Sequence, residues 1–285
     1  MMTEGCVYIL NDNPVYQAMY SVSIRLLRRH SPSLPVHLIY VKDGNADSWA
    51  ESSKIFSVLD KSLVERHMVW GDDNILRLSS AMGVSVDMVS SLPYKSQNFV
   101  SMQRCLFSRC NLDTALLVDT DTFIFKPIDG LFTTKPDLDM VACPMVGVVP
   151  DTQNTQVTEQ KMMFAYWSDG KVAKRSILPM NSGVVLFRSS LLREYGKTVV
   201  DYCNRLNFRK HPMSSMMFVL RPDGRNREEI AFNLFALERN IKAGYFDRDV
   251  GVFNFDVNMS IFHTGSSSYA HWFTRFANSG ALVRN

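Results

Sequence analysis

The chain has 285 residues, 46% hydrophobic and 21% charged, with a formal net charge of +3 at pH 7. That is enough apolar material to bury a large core, in one α/β domain or two small ones. The excess charge is dispersed, its longest basic cluster being Arg25, Arg28 and Arg29, so no nucleic-acid partner is expected, because phosphate binding needs a basic stripe.

Residues 6–10 are an apolar run closed by Asn11, Asp12, Asn13 and Pro14, which predicts a buried strand and a turn. Over 15–30 the period changes: Tyr16, Met19, Tyr20, Ile24 and Leu27 recur at three- and four-residue steps, an amphipathic helix stopped by Ser31 and Pro32. Strands are expected at 36–41 and, more weakly, at 63–70. Strand, helix, strand opens a βαβ unit, whose parallel pairing gathers loops and ligands at the carboxyl ends of the strands. A helix over 98–110 leads into the most apolar strand, 115–118, followed by short strands at 123–125 and 139–143. Residues 150–170 read as a loop. A strand over 177–187, helices over 191–206 and 228–240, and a last strand over 257–262 that delivers His263 complete the chain. No repeat or linker divides it.

The five cysteines are scattered without a Cys-x-x-Cys pair, which argues against a disulfide framework or zinc knuckle and for a reducing compartment. No stretch approaches the roughly 20 apolar residues of a spanning helix, so no membrane span and a cytoplasmic location are expected.

Leu116, Leu117 and Val118 bury one strand, and Asp119, Thr120 and Asp121 stand where it leaves the core. Two ionised carboxylates beside an apolar strand repel each other and are costly to desolvate unless a cation or donors compensate them. Manganese or magnesium suits such hard oxygen ligands and also binds substrate phosphates. The plain alternative is a solvated turn in which Asp and Thr cap the next element.

Residues 101–132, SMQRCLFSRCNLDTALLVDTDTFIFKPIDGLF, resemble the core of the glycogenin-like and galactosyltransferase-like GT-A glycosyltransferases. A helix with a basic residue, an apolar strand, Asp-x-Asp and an "I-D-x-L-F" tail follow in order, the tail matched by Ile128, Asp129, Leu131 and Phe132. Further blocks keep the family's order over nearly the whole chain. The resemblance implies a single α/β GT-A domain over 1–285, a Rossmann-like mixed, mostly parallel sheet flanked by helices, with a nucleotide-sugar half (1–125) and an acceptor half (126–285). It implies a Mn2+ or Mg2+ ion held by Asp119, Asp121 and His263 and bridging to the donor diphosphate. The implied reaction moves a hexose from a nucleotide diphosphate sugar, UDP-hexose first and GDP-mannose second, to a glycan or other hydroxyl acceptor with retention.

The same resemblance assigns nucleoside contacts to Asn11 and Asp12 and base stacking to Tyr16, with a helix N-cap as the simpler role of the Asn-Asp-Asn turn. Thr120 joins the donor contacts. Lys95 and Arg104 resemble the two basic residues that reach the donor. Arg104 lies on an otherwise apolar helix and needs a partner there, unless it snorkels to the surface. Asn181, Ser182 and Gly183 match an "N-S-G-V" block; a glycine inside a strand marks either the close approach of a ligand or a bulge, and an Asn amide suits sugar hydroxyls.

Glu228 and Glu229 stand at the start of a "D-Q-x-x-L-N" helix with both leading residues changed. They are the candidate catalytic pair, the second being a stronger nucleophile or base than glutamine, which leaves the stereochemical course open; as first-turn residues they also suit the helix dipole. Relatives end "H-x-x-G-x-x-K-P-W", whereas here Gly265 comes one residue early and the lysine is missing. Gly265 and Ser266 remain donors for the β-phosphate, with Lys95, Arg104 or His271 completing the clamp. Two other classes fit less well: a haloacid-dehalogenase-like phosphatase, for which the Gly71, Asp72, Asp73 cluster falls in the wrong order, and a nucleotide-sugar- or metal-binding protein without turnover.

Overall fold

The structure, a computed structural model, describes residues 3–42, 57–90, 103–144, 180–205, 227–247, 249–252, 255–265 and 268–282. Along them run β1 (Glu4–Asn11), α1 (Pro14–His30), β2 (Val36–Val41), α2 (Lys61–His67), α3 (Asp72–Ala81), β3 (Ser85–Val89), β4 (Thr114–Val118), β5 (Thr122–Ile124) and β6 (Met140–Pro144). Then come β7 (Met180–Phe187), α4 (Leu191–Arg205), α5 (Arg227–Glu238), β8 (Ala243–Tyr245), β9 (Val250–Val252), β10 (Ile261–His263) and α6 (Tyr269–Ser279). Single 3-10 turns cover Arg104–Arg109 and Asp129–Thr133.

The expected mixed, mostly parallel sheet is present. Its seven strands lie in the order β3-β2-β1-β4-β7-β6-β8. The pairs β1–β2, β1–β4, β2–β3 and β6–β8 are parallel, while β7 runs antiparallel to both β4 and β6. Alternation along each strand feeds two cores: Cys6, Tyr8 and Leu10 with Leu116 and Val118 face α1, while Val7 with Ala115 and Leu117 face α4 and α5. Burial on both faces is why these strands read as continuous apolar runs. α1 starts where Asn13 caps it, its side chain accepting from the Val15 N–H at 2.9 Å with Pro14 in the first turn. It ends on Arg28, Arg29 and His30, which complement the helix dipole.

Four expectations are corrected. Residues 63–70 are not a strand. Asp60 caps Ser62 and Leu63 to start α2, which buries only Val64 and His67. Within the 98–110 segment Arg104–Arg109 is a 3-10 turn rather than an α-helix, with Arg104, Cys105, Leu106 and Phe107 buried in succession; Gln103 before it is α-helical, and residues 98–102 lie outside the described residues. The last strand spans only Ile261–His263, since Val257 is 78% exposed. Finally, a second sheet, β5-β10-β9, stands beside the large one. β3, β8, β9, α3 and α6 come from segments that carried no expectation, and the 150–170 loop lies outside the described residues.

The "I-D-x-L-F" tail has a structural role. The Ser31 hydroxyl donates to Asp129 at 2.5 Å and accepts from the Ile128 N–H at 3.0 Å, tying the segment to the end of α1. On the other face α4 packs on the 3-10 turn of Arg104. A Cβ at Gly196 would meet Ser108 N at 2.2 Å and Phe107 C at 2.7 Å, both backbone atoms. Gly196→Ala is therefore expected to destabilise by about 1–3 kcal/mol, as overpacking does. Urea unfolding checks this, and an unchanged midpoint would show that the helix slides freely.

Candidate metal centre

β4 leaves the core at Val118, paired with Val184, and the Asp119 N–H then donates to the Gly183 carbonyl at 2.8 Å. The chain turns through Thr120 and Asp121 into β5. β10 pairs antiparallel to β5 with Phe262 opposite Phe123 and His263 opposite Thr122. Just beyond, Thr264 donates twice to the Asp121 carbonyl, from its N–H at 3.2 Å and its hydroxyl at 3.1 Å. The His263 imidazole is thereby held beside both acids, Nε2 lying 3.1 Å from Asp121 Oδ1 and 3.9 Å from Asp119 Oδ2. One ligand atom from each of the three residues falls within 4.8 Å of the others.

Arg104 completes the group. Its side chain is only 8% exposed, and one guanidinium nitrogen lies 3.0 and 3.1 Å from the two oxygens of Asp119. This buried ion pair replaces the snorkelling alternative and gives the guanidinium a protein partner. Burial is the largest influence on the Asp119 carboxyl and pushes its pKa above the ordinary range; Arg104 and His263 pull against it and the Asp121 charge adds to the rise. With both acids ionised and the imidazole neutral, Arg104 offsets one of two negative charges, leaving one in excess in a largely buried site. Two hard oxygen ligands and an imidazole around that excess suit a divalent cation of the manganese or magnesium type.

Other expected site residues gather at the same sheet edge. β7 enters there, and its register against β6 jumps from Ala142 opposite Val185 to Cys143 opposite Asn181, so Ser182, Gly183 and Val184 form a bulge beside Asn181. The Asn181 side chain accepts from the Gly183 N–H at 2.8 Å. Asn11, Asp12 and Tyr16 flank the β1–α1 turn, where the Asn11 side chain accepts from the Asn13 N–H at 3.1 Å, and α1 packs against β5. Thr120 is buried between the two acids. Gly265 has φ 69°, a left-handed conformation that favours glycine. Glu228 and Glu229 lie in the first turn of α5, their side chains outside the described residues, as are Lys95 and Ser266. Asp72 heads α3, where Tyr40 at 2.6 Å, Gln17 at 3.1 Å and Lys42 at 3.3 Å engage its carboxylate.

Three contributors carried no assigned role in the sequence. Thr264 was signalled only by following His263. Asn233, the last residue of the "D-Q-x-x-L-N" block, exchanges two 2.9 Å hydrogen bonds with the Met180 backbone and so ties α5 to the start of β7. Gly196 sets the approach of α4 to the turn that carries Arg104.

No protein-family model and no curated protein matches the sequence. Solved structures do match. The galactosyltransferase LgtC, in complex with donor and acceptor sugar analogs, matches with 12% identity and a TM-score of 0.53, over 96% of this chain and 95% of its own. The apo form of mouse xyloside xylosyltransferase 1 matches with 13% identity and a TM-score of 0.50, over 93% and 98%. WbbM, a bifunctional glycosyltransferase, matches in its apo form with 9% identity and a TM-score of 0.52, over 93% of this chain and 46% of its own. At such identities the likeness is one of fold: the chain has the GT-A fold.

The raised Asp119 carboxyl sets a sign for pH dependence. Its contribution to metal-free stability is present below the ordinary aspartate value of 3.8 and is lost as pH rises through the raised value. A cation binds the ionised form and restores what is lost. Added Mn2+ should therefore raise the thermal midpoint at neutral pH, and by progressively less as pH falls toward 3.8. Differential scanning fluorimetry across that window tests the assignment, and a Mn2+ shift that is absent or independent of pH counts against it.

Proposed function

We propose that this protein is a metal-dependent glycosyltransferase that moves a hexose from a nucleotide diphosphate sugar to a hydroxyl acceptor. The observation that carries the reading is the convergence of Asp119, Asp121 and His263 within 4.8 Å at the carboxyl edge of a GT-A sheet, the edge where open α/β sheets bind ligands. The resemblance of residues 101–132 favours a UDP-hexose donor, with GDP-mannose second, and a glycan among the acceptors.

When bound by the three ligands, a Mn2+ or Mg2+ ion would supply Lewis-acid stabilisation for charge developing on the leaving diphosphate. The chain's own groups divide the remaining work. Arg104 holds the Asp119 carboxylate, and Thr264 holds the backbone of Asp121 against β10. Asn11 and Asp12 are proposed to take the nucleoside and Tyr16 to stack on the base, while Thr120, Gly265, Ser266 and Lys95 stand on the phosphate side. Asn181 is proposed to hydrogen-bond the sugar. Glu228 would hold the sugar and Glu229 act under the anomeric carbon; as a nucleophile, with the acceptor then displacing it, Glu229 would give retention, and as a base activating the acceptor it would give inversion. Support comes from Asn233, which anchors the helix of both glutamates to Met180, the neighbour of Asn181.

A panel of nucleotide sugars assayed with Mn2+ for nucleoside diphosphate release tests the reading directly. Phosphate release from monoesters would point instead to a phosphatase, and binding without release to a pure binder. Asp121→Ala should lower the metal-dependent rate at least about 100-fold with an unchanged circular dichroism spectrum; full activity in that variant overturns the proposal. Glu229→Gln is expected to lower kcat by about 10²–10⁴-fold, the range of a positioned acid or base. A near-normal kcat would reduce Glu229 to a positioning role.

A further inference from the structure

We infer that Gly183 is a positioning residue of the metal centre: the space its missing side chain leaves is the seat of the His263 imidazole. This inference rests on the metal-centre reading above and extends it to a residue the resemblance places among the donor contacts.

Gly183 lies in β7, all eight residues of which are buried. It is not among the glycines with positive φ, so its backbone would accept an alanine, and conformational freedom does not explain a glycine here. Space does. A Cβ built at Gly183 would lie 2.2 Å from Cε1, 2.5 Å from Nδ1 and 2.7 Å from Nε2 of His263, inside the ring's own volume.

Neither partner can retreat cheaply. The Gly183 carbonyl accepts from the Asp119 N–H and its own N–H donates to Asn181, so a shift of β7 moves one metal ligand and one proposed sugar contact. His263 is pinned between β5 and β9 by backbone pairing and followed by the Thr264 clamp on Asp121. The freedom left is rotation of the imidazole, which would carry Nε2 away from its 3.1 Å contact with Asp121. Gly183 therefore lets one strand present Asp119 by its carbonyl and accept His263 against its α-carbon. The bulge of β7 serves metal-ligand geometry as well as any contact with the donor.

Two measurements test this. Mn2+ titration of Gly183→Ala, followed by electron paramagnetic resonance of the free ion, should give an affinity about 10–100-fold weaker than the parent, the loss seen when groups that orient a metal ligand are removed; parent-like affinity overturns the inference. The second is a double-mutant cycle on metal-free protein by urea unfolding. Gly183→Ala should lower the midpoint, and adding His263→Ala should recover most of that loss, because the ring the methyl collides with is gone. An equal loss in both backgrounds overturns the inference even if Gly183→Ala alone folds poorly. The cycle reports packing without metal, so its failure is distinct from failure of the metal reading, which would show as no Mn2+ uptake by the unchanged chain.

Discussion

The three-residue antiparallel pairing of β5 with β10 is the constraint on which the site depends. Successive side chains of a strand point to opposite faces, and a slip of one residue would reverse them all. Here the register is held by aromatic rings on one face. Phe123 stacks on Tyr269 at 5.0 Å and meets Phe276 at 4.9 Å, while its partner Phe262 meets Trp272 edge-on at 4.9 Å. Each such pair contributes about 0.5–1.5 kcal/mol beyond the area it buries. With Phe262 committed to α6, His263 must face the other way, toward Asp121. The ring cluster formed by α6 and the small sheet thus aims a metal ligand.

Electrostatics explains why the pieces meet here and not elsewhere on the sheet. Two carboxylates at the end of an apolar strand, Asp121 buried and Asp119 partly so, are unfavourable by themselves. Arg104 reduces that cost through an ion pair that is itself largely buried, and such pairs stabilise only with good geometry. The geometry comes from behind, through the close approach of α4 at Gly196 to the turn that bears Arg104. The excess negative charge is then a stored preference for a cation, and a cation on two acids leaves net positive charge for a diphosphate. Fold stability and ligand preference are two readings of one charge distribution.

Much of the large sheet was legible in the sequence because its signals are local. β1, β2 and β4 are short apolar runs, α1 has a cap, a period and a stop, and their observed ends differ from expectation by two residues or fewer. The failures have physical causes. α2 has seven residues and buries two, too few to establish a helical period against neighbouring apolar residues, although Asp60 was an available capping signal. β9 and β10 are three residues each, too short to display alternation. The Arg104 turn buries four consecutive residues, a pattern that fits neither period.

By itself the sequence determined that a carboxylate pair follows a buried strand at the ligand-binding edge of an α/β sheet, because strand burial and strand ends are properties of contiguous residues. Through the family resemblance it also marked His263 as a metal ligand and Asn181 and Arg104 as donor contacts. Only the tertiary structure decided that Arg104 belongs to Asp119, that Thr264 reaches the Asp121 carbonyl across 143 positions, and that the vacant side of Gly183 holds an imidazole. Those facts depend on register and on the close approach of distant segments, and no local pattern of side chains encodes either one.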